Sequence, residues 1–289
     1  MKTRLISQFA AVSAGLLIAG SVLAKPNTTR VQATNNKSGV SVTIPLHAVE
    51  VAPNVFSLGT AQHNGKTVEG LMFVYRSNAK PDNPGGGNGG GKGNGGGGGG
   101  DDPASSCYSH LAKGAKWKTA ENWIINPSNN SGLSDAFLLS TTSAAYDEWE
   151  AVSSANIVGD GSIVNTPLVA DESSPDGLNE IYFGEISDPG VIAVTITWGI
   201  FGGPPRNREL VEMDQVYNQV DFAWSGSGEA GKMDYENIAQ HEIGHAIGMG
   251  HAPTAAECVE ETMYPTASNG ETSKRDLGVG DTAGIKALY

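Results

Sequence analysis

His241 and His245 stand four residues apart, with Glu242 between them, Gly248 further on and His251 beyond it. On a helix of 3.6 residues per turn, positions four apart fall about 40° apart on one face. Two imidazoles so placed can grip one zinc ion. Ala239, Ile243, Ala246 and Ile247 fall on other parts of the same helix and are free to enter a core. Glycine at 248 admits positive φ, and a reversal there brings His251 back as a third ligand. Three neutral imidazoles leave a fourth zinc position open to water, as a catalytic site requires. Glu242, beside the first ligand, can reach that water without binding the metal. The chemistry this allows is hydrolysis. Zinc lowers the pKa of water and polarises a carbonyl, while Glu242 takes a proton and later passes it to a leaving amine. No serine or cysteine nucleophile is needed. Histidines merely satisfied inside a core helix would leave the glycine and the third histidine unexplained.

The elements that must carry these residues can be read outward from them. Asp234 is a good N-cap for the ligand helix, and Gly248 or Gly250 a good stop. Upstream, residues 135–152 predict a helix with Phe137, Leu138, Ala145, Trp149 and Val152 on one broad face. Residues 180–183, 191–198 and 210–221 read as strands rich in β-branched and aromatic side chains. A final helix starts near Asp281. Helix, strands, helix and an irregular tail make residues 105–289 an α+β domain.

The chain ahead of this domain has three parts. Residues 1–24 read as a signal peptide: Lys2 and Arg4 precede a short apolar run from Phe9 to Leu23, and Val22-Leu23-Ala24 offers a cleavage site. Residues 25–80 read as a small β-rich module and a candidate pro-region. Val42, Ile44 and Leu46 alternate with polar residues, and Asn64-Gly65 is a favoured hairpin turn between two apolar runs. Its His47 and His63 lack ligand spacing. Residues 81–104 are a linker, nearly all glycine from 85 to 100. Such a segment behaves as a flexible coil with a span on the order of 20–25 Å, and predicts two independent bodies in the mature chain.

The chain carries 18 Lys+Arg against 31 Asp+Glu, a net charge of -13. That argues against nucleic acid and anionic membrane surfaces as partners, since both need basic patches. The expected product is secreted and extracellular, a monomer with no membrane span once the leader is removed. Cys107 and Cys258, an even pair, suit an oxidising compartment and one disulfide. Cys107 as a free thiolate capping the metal is the alternative.

The run His241-Glu242-Ile243-Gly244-His245-Ala246-Ile247-Gly248-Met249-Gly250-His251, followed by Glu261-Thr262-Met263-Tyr264-Pro265, resembles the metzincin clan and its methionine-containing turn. The Met-Tyr-Pro sequence and the chain ending are most similar to matrixins, the matrix-metalloproteinase family. The resemblance covers roughly residues 105–289. It implies that Met263 sits beneath the ligands as a packing residue. It also implies that residues 191–198 form an edge strand along the cleft, to which a protein or peptide substrate adds as a further strand. Val194, Thr195, Tyr264 and Pro265 would then line that cleft. The function implied is a secreted zinc endopeptidase with Glu242 as its catalytic residue. The alternatives are a non-catalytic adhesion or binding protein on the same scaffold, and a zinc hydrolase of a non-protein substrate. Three features depart from the pattern: Ala252 follows the third histidine, His110 is the one other histidine of the domain, and residues 25–104 hold no cysteine for a latency motif. The first departs from the serine usual there, and the second argues against a second, structural zinc. Calcium is a second candidate ion, since Asp160, Asp171, Asp176 and Asp188 sit in glycine- or proline-containing loops, though such residues also form plain turns.

Overall fold

The computed structural model describes residues 39–78 and 103–289. The leader at 1–24, the polar residues up to 38 and nearly all of the glycine linker lie outside the described residues. In the N-terminal part, β1 (Val49–Ala52), β2 (Val55–His63) and β3 (Lys66–Ser77) follow one another. After the linker come β4 (Ser109–His110), β5 (Glu121–Asn126), α1 (Asp135–Ser153), β6 (Val158–Ile163), β7 (Glu180–Gly184), β8 (Val191–Ile200) and β9 (Glu209–Asn218). Two short pieces, β10 (Trp224–Ser225) and β11 (Met233–Asp234), lead to α2 (Tyr235–Ala246). Then β12 (Met249–Gly250), β13 (Thr266–Ala267) and α3 (Val279–Leu288) complete the chain. The fold is α+β.

One sheet organises the molecule, in the order β1-β2-β3-β8-β9-β7-β5-β6, with β13 pairing β3 outside this path. The pairs from β1 through β9 are antiparallel, whereas β9–β7, β7–β5 and β5–β6 are parallel. The helices cover one face. Trp123, Trp149, Phe183, Tyr217, Tyr235 and Ile243 are among the residues that fill that layer. The other face buries Met72, Val74, Val194, Ile196, Trp198 and Val216 with Val42 and Leu168. Residues 39–44 reach this back face through two isolated bridges, Gly39 to Leu168 and Val42 to Ile186. The alternation at Val42, Ile44 and Leu46 therefore does not make a strand, and Leu46 is fully exposed.

The hairpin turn at Asn64-Gly65 has φ of 48° and 77°, positive at both positions, as the tight turn between right-twisted strands demands. The hairpin does not stand as a separate body. Residues 39–78 and 103–289 fall in one compact unit, and β3 is hydrogen-bonded to β8 from Glu69–Gly199 to Arg76–Val191. Burial explains this departure from two independent bodies. Val68, Met72 and Val74 face one side of β3 and Tyr75 the other, all buried, and an isolated two-stranded hairpin has no second layer in which to bury both. By the same pairing, β8 is an interior strand and not the free edge expected along the cleft. Its unpaired edge is completed by β3.

Candidate metal centre

Helix α2 carries the first two histidines, and its start is fixed by charge. The Asp234 carboxylate accepts from Asn237 N at 3.1 Å. Both oxygens of Asp234 also bind Arg275, at 2.8 and 2.7 Å. A cap of this kind contributes about 1 kcal/mol, and the forked guanidinium holds its orientation. Helix α1 buttresses α2: Trp149 Nε1 donates to the Gln240 carbonyl at 3.2 Å, and Thr142 Oγ1 lies 2.8 Å from Tyr235 Oη. The helix ends where Gly248 takes φ 106°. A side chain is strained in that conformation, and a Cβ there would also stand 2.7 Å from the Ala115 carbonyl. The turn sends the chain back through Met249 and Gly250 to His251.

The three imidazoles converge, with ligand nitrogens within 4.8 Å of one another. His241 Nδ1 lies 2.7 Å from the Thr262 carbonyl, and His245 Nδ1 lies 2.9 Å from the Met249 carbonyl. Carbonyls only accept, so both Nδ1 atoms carry the proton. Both Nε2 atoms are then bare acceptors, yet they face each other at 3.1 Å. Two lone pairs in that position repel, and a cation between them removes the conflict. Neither ring nitrogen of His251 makes a hydrogen bond of good geometry, although both are buried and the Pro53 carbonyl is near the ring. Burial lowers the pKa of all three imidazoles, that of His251 to about 4, with the Pro53 carbonyl opposing it. The rings are therefore neutral, the form that binds metal. This donor set fits a zinc ion.

Glu242 is wholly buried beside them. Its Oε2 accepts from Thr195 Oγ1 at 2.6 Å, while Oε1 has no partner. Burial pushes the carboxyl up to about 8, against the lowering effect of the Thr195 bond.

Beneath the ligands, Met263 is fully buried. Its turn is clamped from α3, where the Asp281 carboxylate accepts from Thr262 N at 2.6 Å and Met263 N at 3.1 Å. The carbonyl that orients His241 is thus itself held by Asp281, a second layer of support for the metal. Sequence reading placed Asp281 at a helix start but gave it no role at the site. Cys107 and Cys258 are joined, with Cα atoms 5.3 Å apart, so Cys107 does not cap the metal.

Of the four residues expected to line a cleft, Thr195 reaches Glu242. Val194 does not face the site: strand alternation turns it to the back layer. Pro265 joins Pro53, Leu71, Phe73 and His251 around a cavity of about 600 Å³. Tyr264 lies instead under the Lys274 ammonium, 5.6 Å from its ring centroid. The four loop aspartates are dispersed. Asp171 and Asp176 gather with Glu212, Asp188 pairs with Arg76 at 2.8 Å, and Asp160 donates its backbone N–H to Asn122. That clustering alone assigns no calcium.

A family model for matrixin, peptidase family M10, matches residues 110–289. The chain belongs to the matrixin family. Among curated relatives of this matrixin, metalloendoproteinase 4-MMP of Arabidopsis thaliana is 37% identical over 100 residues, 35% of this chain and 25% of that protein. Metalloendoproteinase 1-MMP of Arabidopsis thaliana is 41% identical over 70 residues, 24% of this chain and 18% of the relative. Human matrilysin is 37% identical over 71 residues, covering 24% of each. The matches span a quarter or less of these relatives' own lengths. The family implies zinc, and the three histidines form a possible site for it.

Proposed function

We propose that this matrixin is a secreted zinc endopeptidase in which His241, His245 and His251 hold the ion and Glu242 moves the proton. The observation that carries the reading is the pair of facing, unprotonated Nε2 atoms of His241 and His245, with the free Oε1 of Glu242 alongside. Zinc, when bound, supplies Lewis acidity that makes water acidic and polarises a carbonyl. The residues do the rest. Thr195 fixes one oxygen of Glu242 and leaves Oε1 to accept a proton from the attacking water. Burial makes that carboxylate a stronger base than a solvated one, and the same carboxyl then passes the proton on to the leaving amine. Tautomers set by the Thr262 and Met249 carbonyls keep the ligand nitrogens bare.

Export is supported by the basic and apolar leader pattern at residues 1–24 and by the Cys107–Cys258 bridge, which persists in oxidising surroundings. Among the described residues no helix is long and apolar enough to cross a membrane. The domain plan that goes with this reading is a leader, an N-terminal hairpin region at 25–80, a glycine linker and the peptidase domain.

Cleavage of casein by the purified chain, with its linker intact and with its linker cut, tests the activity. A zinc chelator should abolish it and added zinc restore it. Glu242→Gln should retain zinc and lose hydrolysis by several orders of magnitude. Retained turnover in that variant would sink the mechanism.

A further inference from the structure

The N-terminal hairpin occupies the ground that a substrate needs. Glu242 is reached from β8, since Thr195 of that strand binds its carboxylate. A peptide brought to Glu242 by strand addition must pair with β8 on the side away from β9. That side is already filled. Strand β3 runs antiparallel along it, with Phe73 opposite Thr195 and Tyr75 opposite Ala193. Beyond Tyr75 the chain passes between β8 and the loop after Met263, where Arg76 and Ser77 pair in parallel with Thr266 and Ala267. Asn78 N donates to the Ala267 carbonyl at 2.8 Å.

The side chains cover the ligands themselves. Tyr75 lies flat on His241, with ring centroids 3.6 Å apart and 3° between planes. Phe73 stacks on His245 at 4.2 Å and meets His251 edge-on at 6.0 Å. Both aromatic residues are almost fully buried. Arg76 pins the strand through Asp188 at 2.8 Å and Asn54 at 2.9 Å. Both cysteines are in the disulfide, so the cover is built from backbone pairing and aromatic rings with no thiolate.

We propose that β3 is a built-in inhibitor: it takes the substrate's place on β8 and, through Phe73 and Tyr75, seals the metal centre of its own chain. The proposal rests on the peptidase reading. The strand is tethered to the domain it blocks through residues 79–102. Its effective concentration at the cleft is therefore high while the tether is whole, and inhibition becomes bimolecular once the tether is cut.

The test uses the full chain with zinc, carrying a recognition site for a sequence-specific protease within residues 85–100. Casein cleavage is compared for the intact chain, for the nicked chain at successive dilutions, and for the intact double variant Phe73→Ala/Tyr75→Ala. Amide hydrogen exchange across residues 191–199 is followed in each. The intact chain should be slower than the diluted nicked chain by about 10-fold or more, and nicking with dilution should speed exchange in β8. The double variant should show both effects without nicking. The nicked parent retains every side chain, so it decides the matter should the variant fail to fold. Equal casein cleavage by the intact and the diluted nicked parent would overturn the proposal. Faster exchange in β8 on nicking, with no cleavage by any form, would uphold the displaced strand and remove the peptidase reading instead.

Discussion

The ring of Tyr75 lies on that of His241 with 3° between their planes, and its hydroxyl is buried with no hydrogen-bond partner. The ring contributes packing, whereas the hydroxyl only loses its water. Burying an unpaired hydroxyl costs about 1–3 kcal/mol. Tyr75→Phe should therefore leave stability unchanged or raise it by about 1 kcal/mol, read from urea unfolding of the zinc-loaded chain. A loss of about 1 kcal/mol or more would mean that the hydroxyl has a partner.

Gly244 sits inside α2, where alanine would ordinarily stabilise a helix by about 1 kcal/mol. Here its missing side chain is what lets Met263 approach. An added Cβ would stand 2.1 Å from Met263 Sδ and 3.1 Å from Trp149 Cζ2. Met263 cannot retreat, because Asp281 holds its backbone and the residue is fully buried. Overpacking costs about 1–3 kcal/mol, so crowding outweighs propensity. Gly244→Ala should lower the unfolding midpoint. It should also weaken zinc binding in a chelator competition, since the displaced turn carries the carbonyl that orients His241. Unchanged values for both would show that Met263 repacks freely.

How much of this was legible beforehand depended on distance along the chain. The convergence of the three histidines could be read because its geometry is local: a helical spacing, a turning glycine and a returning histidine. The N-cap at Asp234 and helix α1 were legible for the same reason. Strand β6 was not, because its Gly159 and Gly161 argue against a strand; Gly161 is retained because Trp123 lies across it, 2.1 Å from where a Cβ would be. The pairing of β3 with β8 was also hidden. Alternation of Val68, Met72 and Val74 with Leu71, Phe73 and Tyr75 shows a strand needing burial on both faces, but pattern alone does not name its neighbour. Asp281 escaped for a related reason: an aspartate in a helix first turn has a sufficient local explanation, and its bonds to Thr262 and Met263 are long-range.

The Cys107–Cys258 bridge closes a long loop, its ends 151 residues apart. The chain-entropy model gives about 5 kcal/mol for such a loop, and removal of native bridges typically costs about 2–5 kcal/mol. Replacing both cysteines with alanine should destabilise the protein by that measured range in denaturant unfolding. A change below about 1 kcal/mol would mean that the denatured chain already confines the loop.

Glu180 lies on β7 in an acidic neighbourhood, and its carboxyl is pushed up to about 7, first by burial and then by Asp176 and Asp171, against the lowering effect of the Val169 N–H. A raised folded pKa means that the folded state favours the protonated form. Below about pH 4.5 both folded and unfolded chains hold this proton, and the group imposes no penalty. Between about pH 4.5 and 7 the unfolded chain releases it first, so stability falls, and above 7 the penalty is complete. Each unit of difference corresponds to about 1.4 kcal/mol, and solvent at the edge of the cluster screens part of it, leaving about 1–2 kcal/mol. Glu180→Gln preserves an oxygen to accept from Val169 N and removes the charge. The variant should match the parent near pH 4.5 and exceed it by about 1–2 kcal/mol at pH 8, with the gap opening between the two. Urea unfolding at a series of pH values measures this directly. A gap that does not vary with pH would show that Glu180 is not the group whose proton the folded state retains.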